Sequence, residues 1–351
     1  MKRFRRGLVV GKFYPPHAGH HELIDASLEA CDQVVVCVLA ASHESIPMDL
    51  RAGWLRERHP TADVRAALDD HPIDYDDPAV YDLHDEVIRA IVPEAIDVVI
   101  SAERYGAVMA ERYGCSHLTL TRGGLSGTAV RADPQAHWRD LEPPVRAHLT
   151  KRVVVVGAES TGTTTLSRSL ASHYGTAWVP EYGREVSEDR LTEGTFGTWS
   201  REDFARIAAT QQAAEDAAAR EAGPVLICDT DALATCVWEE RYLGRSSEKT
   251  EGLAAGRRYD LYILTSDDIP FVQDGLRDGE HLRRWMTMRF RAGLAAREEP
   301  HIEVSGSPAK RLEAAVTAID ALLRWEFAPP LVPKRPEAAG AARRARGNDR
   351  S

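Results

Sequence analysis

Two uninterrupted runs of aliphatic residues, each passing into a glycine turn and then a helical pattern, restrict the folds open to this chain. The first is Leu8, Val9 and Val10, followed by Gly11 to His20 (G-K-F-Y-P-P-H-A-G-H) and a helix-like stretch from His21 to Leu28. The second is Arg152 to Gly157 (R-V-V-V-V-G), which feeds A-E-S-T-G-T-T-T-L. Runs apolar at every position belong to strands covered on both faces, as in parallel sheets. Further strands are read at Gln33–Ala41, Asp97–Ile100, Ser116–Leu120, Ala177–Glu181, Val225–Asp231, Asp260–Thr265 and His301–Val304, with a weaker one at Asp63–Leu68. Helical spacing fills the intervals at Leu50–Arg58, Tyr81–Ile91, Arg201–Glu221 and Ala309–Leu323, and Leu191–Thr198 reads as a loop. Strands alternating with helices give an α/β chain of two doubly wound domains.

A length of 351 residues exceeds one ordinary core and suits about two domains. Trp138 to Leu149, with its double proline, closes a first domain at 148, and Lys151 opens a second that runs to 326. The stretch 329–351 is rich in proline, alanine and arginine and is expected to be a disordered basic tail. No run of about 18 apolar residues is present, so no membrane partner is expected. Met1 to Arg6 is basic but lacks the apolar centre of a signal peptide. Five cysteines without a C-x-x-C spacing read as reduced core residues of a cytoplasmic protein. A net charge of −10 argues against a nucleic-acid surface. Oligomeric state is not legible, and a homo-oligomer is compatible with the sequence.

The chemistry sits where strands end. A glycine turn leading into a helix offers backbone N–H groups and a dipole to phosphate, and His17 and His20, at i and i+3, face the same side of the first turn. Gly123 to Pro134 (G-G-L-S-G-T-A-V-R-A-D-P) places Ser126 at a helix start and Arg131 beyond it, a clamp suited to the outer phosphates of ATP. Gly157 to Thr164 has the spacing of the phosphate loop G-x-x-x-x-G-K-[ST], with Gly157 and Gly162 in place and Thr164 at the Mg²⁺-ligand position. Thr163 stands where that pattern has lysine, which removes a positive charge from the β- and γ-phosphates. Val225 to Asp231 (V-L-I-C-D-T-D) ends in carboxylates, placing Asp229 near Mg²⁺ or the attacking hydroxyl. Arg277, Arg283 and Arg284 are candidates to restore the missing charge.

The pair G-K-F-Y-P-P-H-A-G-H and L-S-G-T-A-V-R resembles the H-x-G-H and I-S-x-x-x-x-R signatures of the nucleotidyltransferase superfamily. With S-A-E-R-Y-G at 101–106, residues 5–148 look most like nicotinamide mononucleotide adenylyltransferases of the NadR type. The resemblance implies that His17 and His20 hold the ATP phosphates, assisted by Lys12, Ser126 and Arg131. Gly11, Phe13, Gly19 and Thr128 would then complete the nucleotide cradle, with Trp54, Glu103 and Tyr105 near the acceptor. Adenylyl transfer needs no protein nucleophile, so positioning and charge stabilisation of departing pyrophosphate suffice.

Residues 151–326 resemble the ribosylnicotinamide kinase domain of the same family through G-A-E-S-T-G-T-T-T-L, E-Y-G-R-E, D-T-D and D-G-L-R. This implies ATP and Mg²⁺ on Gly157, Glu159, Ser160, Thr161, Gly162, Thr163, Thr164 and Thr165, with Asp229 and Arg277. Tyr182 and Arg184 would lie near the nucleoside, and Glu181 or Asp229 would serve as base for its 5′-hydroxyl. No helix-turn-helix segment precedes the first domain, so transcriptional repression is not carried over. The expected function is NAD salvage: phosphorylation of nicotinamide riboside and adenylylation of nicotinamide mononucleotide, both with ATP. Two alternatives stand beside it: a P-loop domain that only senses nucleotide, and a transferase with a flavin or phosphopantetheine acceptor.

Overall fold

Each apolar run becomes a central strand, and its alternate residues feed two different cores. In the computed structural model, residues 2–74, 77–121, 123–195, 197–273 and 279–331 are described. The first half comprises β1 (Phe4–Gly11), α1 (Ala18–Ala30), β2 (Cys31–Ala40), α2 (Met48–Arg58), β3 (Asp63–Leu68), α3 (Pro78–Ile91), β4 (Val98–Ser101), α4 (Tyr105–Tyr113) and β5 (Ser116–Thr119). These strands form a parallel sheet in the order β3-β2-β1-β4-β5. Val9, Val34, Val36 and Val38 pack on one face with Ile24 and Leu55. Leu8, Val10, Val35, Cys37 and Leu39 pack on the other with Ile88, Val92 and Met109. Period-two alternation inside an all-apolar strand is what a doubly covered sheet requires.

Next come α5 (Gly127–Ala132), the 3₁₀ turn Trp138–Asp140 and α6 (Pro143–Leu149). The second half continues with β6 (Lys151–Val156), α7 (Thr163–Tyr174), β7 (Trp178–Val179), α8 (Tyr182–Glu193), α9 (Arg201–Glu221), β8 (Val225–Asp229), α10 (Ala232–Leu243) and α11 (Glu248–Ala255). It ends with β9 (Leu261–Thr265), α12 (Arg283–Ala295), β10 (His301–Val304) and α13 (Pro308–Leu322). The second sheet is also parallel, in the order β10-β9-β6-β8-β7. Val153 and Val155 face Leu166, Leu170 and Ile319, whereas Val154 and Val156 face Ala219, Met286 and Phe290. Both sheets are doubly wound α/β layers, as the alternation of elements predicts.

Three expected elements differ. β7 covers Trp178–Val179 only, because Pro180 has no N–H to extend the ladder. Leu191 to Glu193, expected in a loop, close helix α8, which ends at Gly194 with a φ of 73°. The strand after Val225 stops at Asp229, since Asp231 turns to cap α10 by accepting from Ala234 N.

The chain divides into one unit of Met1–Gly127 with the stretch from Glu326, and a second of Thr128–Trp325. The sequence reading drew its boundary at 148. The two divisions differ over 128–148, where Trp138 Nε1 donates to Ala222 O at 2.9 Å and Thr150 Oγ1 donates to Gly223 O at 3.2 Å. Residues 326–331 return to the first unit: Ala328 N donates to Tyr14 Oη at 3.0 Å and Ile73 N to Leu331 O at 2.9 Å. Of the expected tail, 332–351 lies outside the described residues. Among the described residues no helix is long and apolar enough to cross a membrane.

Candidate active sites

The β1–α1 turn is shaped by Phe13, which adopts a φ of 47° and is almost fully buried. A Cβ on Gly11 would come within 3.2 Å of the Phe13 ring, and one on Gly19 within 3.3 Å of His17 Cε1. Both glycines therefore permit close approach where a side chain would crowd the turn. His17 is the N-cap of α1, and its carbonyl accepts from His20 N at 2.8 Å. The His17 and His20 rings lie 3.8 Å apart between centroids, and Phe13 sits 4.9 Å from His20. The i, i+3 spacing thus brings the two imidazoles together at the N-terminus of α1.

Lys12 has a partner that sequence spacing does not reveal. Its Nζ donates to Glu44 Oε1 at 2.8 Å, while Arg51 Nη1 donates to Glu44 Oε2 at 2.6 Å and to Lys12 O at 3.0 Å. Arg51 is fully buried, and its guanidinium lies 4.4 Å from the Tyr14 ring centroid. Burial alone would push the Glu44 carboxyl up, but hydrogen bonds from Lys12 and Arg51 outweigh it and hold the group below its usual range. Behind the histidine pair, His21 Nδ1 meets His59 Nε2 at 2.9 Å, and His59 Nδ1 meets Asp25 Oδ1 at 3.2 Å. Burial, then the neighbouring His59 and Arg58, pushes His21 down to about 3, so it is neutral at physiological pH.

Tyr105 donates its hydroxyl to Val10 O at 2.5 Å, which fixes the end of β1. Ser101 Oγ donates to Glu103 O at 3.0 Å at the mouth of β4, and Trp54 is buried on α2. Ser126 immediately precedes α5, on which Arg131 Nη2 donates to Thr128 Oγ1 at 3.3 Å. The division between units falls inside this helix, with Ser126 in the first and Thr128 and Arg131 in the second.

In the second unit, β6 runs into a loop with Ser160 at a φ of 59° and Gly162 at 86°. A Cβ on Gly157 would stand 2.2 Å from Thr265 Oγ1 and 2.5 Å from Thr161 Oγ1, so only glycine fits. Thr161 is buried and pairs with Thr265 at 2.6 Å, which makes it part of the scaffold. Two arginines brace the loop from outside: Arg283 Nη2 donates to Ser160 O at 2.9 Å and Arg311 Nη1 to Thr161 O at 2.5 Å. Arg283 also donates to Ile269 O at 2.7 Å, so its charge holds backbone carbonyls. Arg284 is exposed, and Arg277 lies outside the described residues. Glu159 accepts from Arg241 Nη1 at 2.7 Å and Gly279 N at 2.8 Å, so its side chain is a buried anchor. Thr165 is exposed on α7.

Gly157, Glu159, Ser160, Thr163, Thr164, Glu181 and Arg184 line one cavity. Trp199, Phe204, Trp238 and Tyr242 line the same cavity as an aromatic wall. Trp199 lies 5.3 Å from Phe204 and 5.6 Å from Tyr242, and Trp238 stacks with Tyr242 at 6.3 Å. Sequence reasoning missed this wall because its members come from the loop before α9, from α9 itself and from α10. Tyr182 is not among the residues that line the cavity, and its backbone N–H donates to Gln211 Oε1 at 3.0 Å. Asp229 is buried beside Thr163 and Thr164. Burial raises it to about 6 against the pull of those hydroxyls, and its Oδ1 has no hydrogen-bond partner among the described residues. A buried carboxylate oxygen left open next to the Thr164 hydroxyl is a donor set that fits Mg²⁺.

An AAA domain model matches residues 152–311. The trifunctional NAD biosynthesis/regulator protein NadR of Escherichia coli is 26% identical over 296 residues, which is 77% of this chain and 71% of that protein. The nicotinamide-nucleotide adenylyltransferase of Aeropyrum pernix is 30% identical over 159 residues, 41% of this chain and 90% of that enzyme. The chain belongs to the NadR-like family. It is accordingly an enzyme of NAD biosynthesis. A solved NadR protein in complex with NR has the same fold, with a TM-score of 0.69 and 22% identity, covering 93% of this chain and 99% of that one. A second NadR structure, in complex with NAD and AMP-PNP, matches equally.

Proposed function

We propose that the first unit joins nicotinamide mononucleotide to AMP from ATP, releasing pyrophosphate and forming NAD, and that the second unit phosphorylates nicotinamide riboside. The observation that carries the first activity is the His17–His20 pair, 3.8 Å between centroids at the start of α1. There the imidazoles and the helix N-terminus present positive potential to departing pyrophosphate. The acceptor phosphate attacks the α-phosphorus, and the P–O bond to the β-phosphate breaks. Lys12, held by Glu44, adds charge at the same turn.

For the second unit, the aromatic residues that line the same cavity as Thr163 and Thr164 support a planar, cationic substrate ring, which is the chemistry of a pyridinium riboside. Glu181 lines the same cavity and is the candidate base that takes the 5′-hydroxyl proton as oxygen attacks the γ-phosphorus of ATP. Thr164 and Asp229 would hold Mg²⁺, which when bound neutralises phosphate charge. The absent loop lysine favours one rival, a P-loop unit that binds nucleotide without phosphoryl transfer.

Full-length protein with ATP, Mg²⁺ and labelled nicotinamide riboside should yield labelled mononucleotide and then NAD. His20→Ala should stop the series at the mononucleotide, whereas Asp229→Asn should block riboside use and spare NAD formation from added mononucleotide. Nucleotide binding without any labelled mononucleotide would leave the sensor reading standing.

A further inference from the structure

The loop after β3 carries a cluster that neither reaction uses. Asp69 is the first residue beyond the strand, its side chain 4% exposed, and its N–H donates to Ala40 O at 2.8 Å. His71 Nδ1 lies 2.9 Å from Asp69 Oδ1, and His84 Nδ1, from α3, lies 2.5 Å from Asp69 Oδ2. The other nitrogen of His84, Nε2, faces Pro72 O at 3.1 Å. A carbonyl oxygen only accepts, so Nε2 carries the proton. Nδ1 then meets the buried carboxylate lone pair to lone pair unless a cation stands between them. At 2.5 Å that cation is a second proton, and a metal ion takes its place once the pair opens.

We infer that Asp69, His71 and His84 form a binding site for a divalent transition-metal ion of the Zn²⁺ class. Their donor atoms lie within 4.8 Å of one another. A tetrahedral site with bonds of about 2.0–2.1 Å needs its ligands about 3.3 Å apart, so the Asp69–His71 and Asp69–His84 contacts of 2.9 and 2.5 Å must open. The His84–Pro72 bond is the outer hydrogen bond that ligating histidines ordinarily make, fixing the tautomer with Nδ1 free to ligate. Three protein donors leave a fourth position for water. The ligands come from one loop and one helix, so the ion ties the start of 69–77 to α3. That loop also carries Ile73, whose N–H binds Leu331 O, so the same ion steadies the returning segment 326–331.

The test is titration of the full-length protein with Co²⁺ and Zn²⁺ in chelator-free buffer containing excess Mg²⁺, followed by Co²⁺ visible absorption and by thermal unfolding. Wild type should bind one Co²⁺ with the intense d–d bands of a four- or five-coordinate ion, displaced by Zn²⁺. His71→Ala, whose side chain is 39% exposed and therefore safe for folding, should lose that equivalent, as should His84→Gln. Zn²⁺ should raise the unfolding midpoint of wild type and not that of His71→Ala. Equal binding and equal midpoints in wild type and His71→Ala would overturn the proposal and leave a protonated His84 clamped by Asp69. The outcome is independent of the activities proposed above, since neither places substrate on these residues.

Discussion

Glu44 shows how one residue can organise a site it never identifies in sequence. It accepts from Ala41 N at 3.1 Å, from Lys12 and from Arg51, so one buried carboxylate sets two cations. Breaking a buried ion pair from one side strands the other charge, which costs about 3–5 kcal/mol. Glu44→Gln should lower stability by that order in denaturant unfolding, with Arg51 the stranded group. His21 gives a pH prediction. Its folded pKa of about 3 lies below its ordinary value of 6.5, so the folded state binds fewer protons than the unfolded chain in between. The stability is intact above about pH 6.5 and is lost progressively toward pH 3. His21→Gln should flatten that acid limb, measured as unfolding free energy against pH. A matching slope in variant and wild type would assign the acid sensitivity to other groups.

At the scale of elements, the turn between β6 and α7 was legible in position, whereas the side chains that brace it were not. Gly157 and Gly162 could be read from spacing alone, because the contacts at Gly157 and the φ of 86° at Gly162 favour glycine. Glu159 could not, since its partner Arg241 lies on α10, and Arg311 braces the loop from α13. Long-range side-chain pairs leave no periodic trace in a single chain. The central strands were legible because burial on both faces makes the runs 8–10 and 153–156 apolar at every position. β7 was overextended because the proline after Val179 removes a donor. Gly157→Ala is the sharpest test of the loop. A Cβ at 2.2 Å from Thr265 Oγ1 forces the loop away from Thr161 and Thr265. It should abolish nucleotide binding by the second unit, seen by calorimetry, while NAD formation from added mononucleotide continues. Ser200→Ala, which removes the capping box of α9, should cost about 1 kcal/mol and leave the loop unaffected.

For the molecule as a whole, two parallel sheets repeat one principle, with each candidate site turn following the central strand of its sheet. The histidine turn follows β1 and the phosphate loop follows β6, each strand being central in its sheet. The sequence showed both turns and missed the return of 326–331, because Tyr14 and Ala328 are 314 positions apart. Tyr14 also meets Ser45 Oγ at 2.7 Å and Phe327 edge-on at 5.5 Å. Tyr14→Phe removes the acceptor for Ala328 N and should speed proteolytic cleavage near 326–331 by several-fold. Unchanged cleavage would mean that the His43–Pro329 and Ile73–Leu331 bonds suffice.

That return makes the first unit discontinuous, with the second inserted within it. During synthesis the ribosome releases residues 1–127 first, yet their final partner segment arrives only after the second unit has emerged. The half that starts first is therefore finished last. A single cut at the midpoint would leave the histidine-bearing fragment without its closing segment, whereas a linkage of residue 331 to the first strand would let each half be made as one unbroken piece.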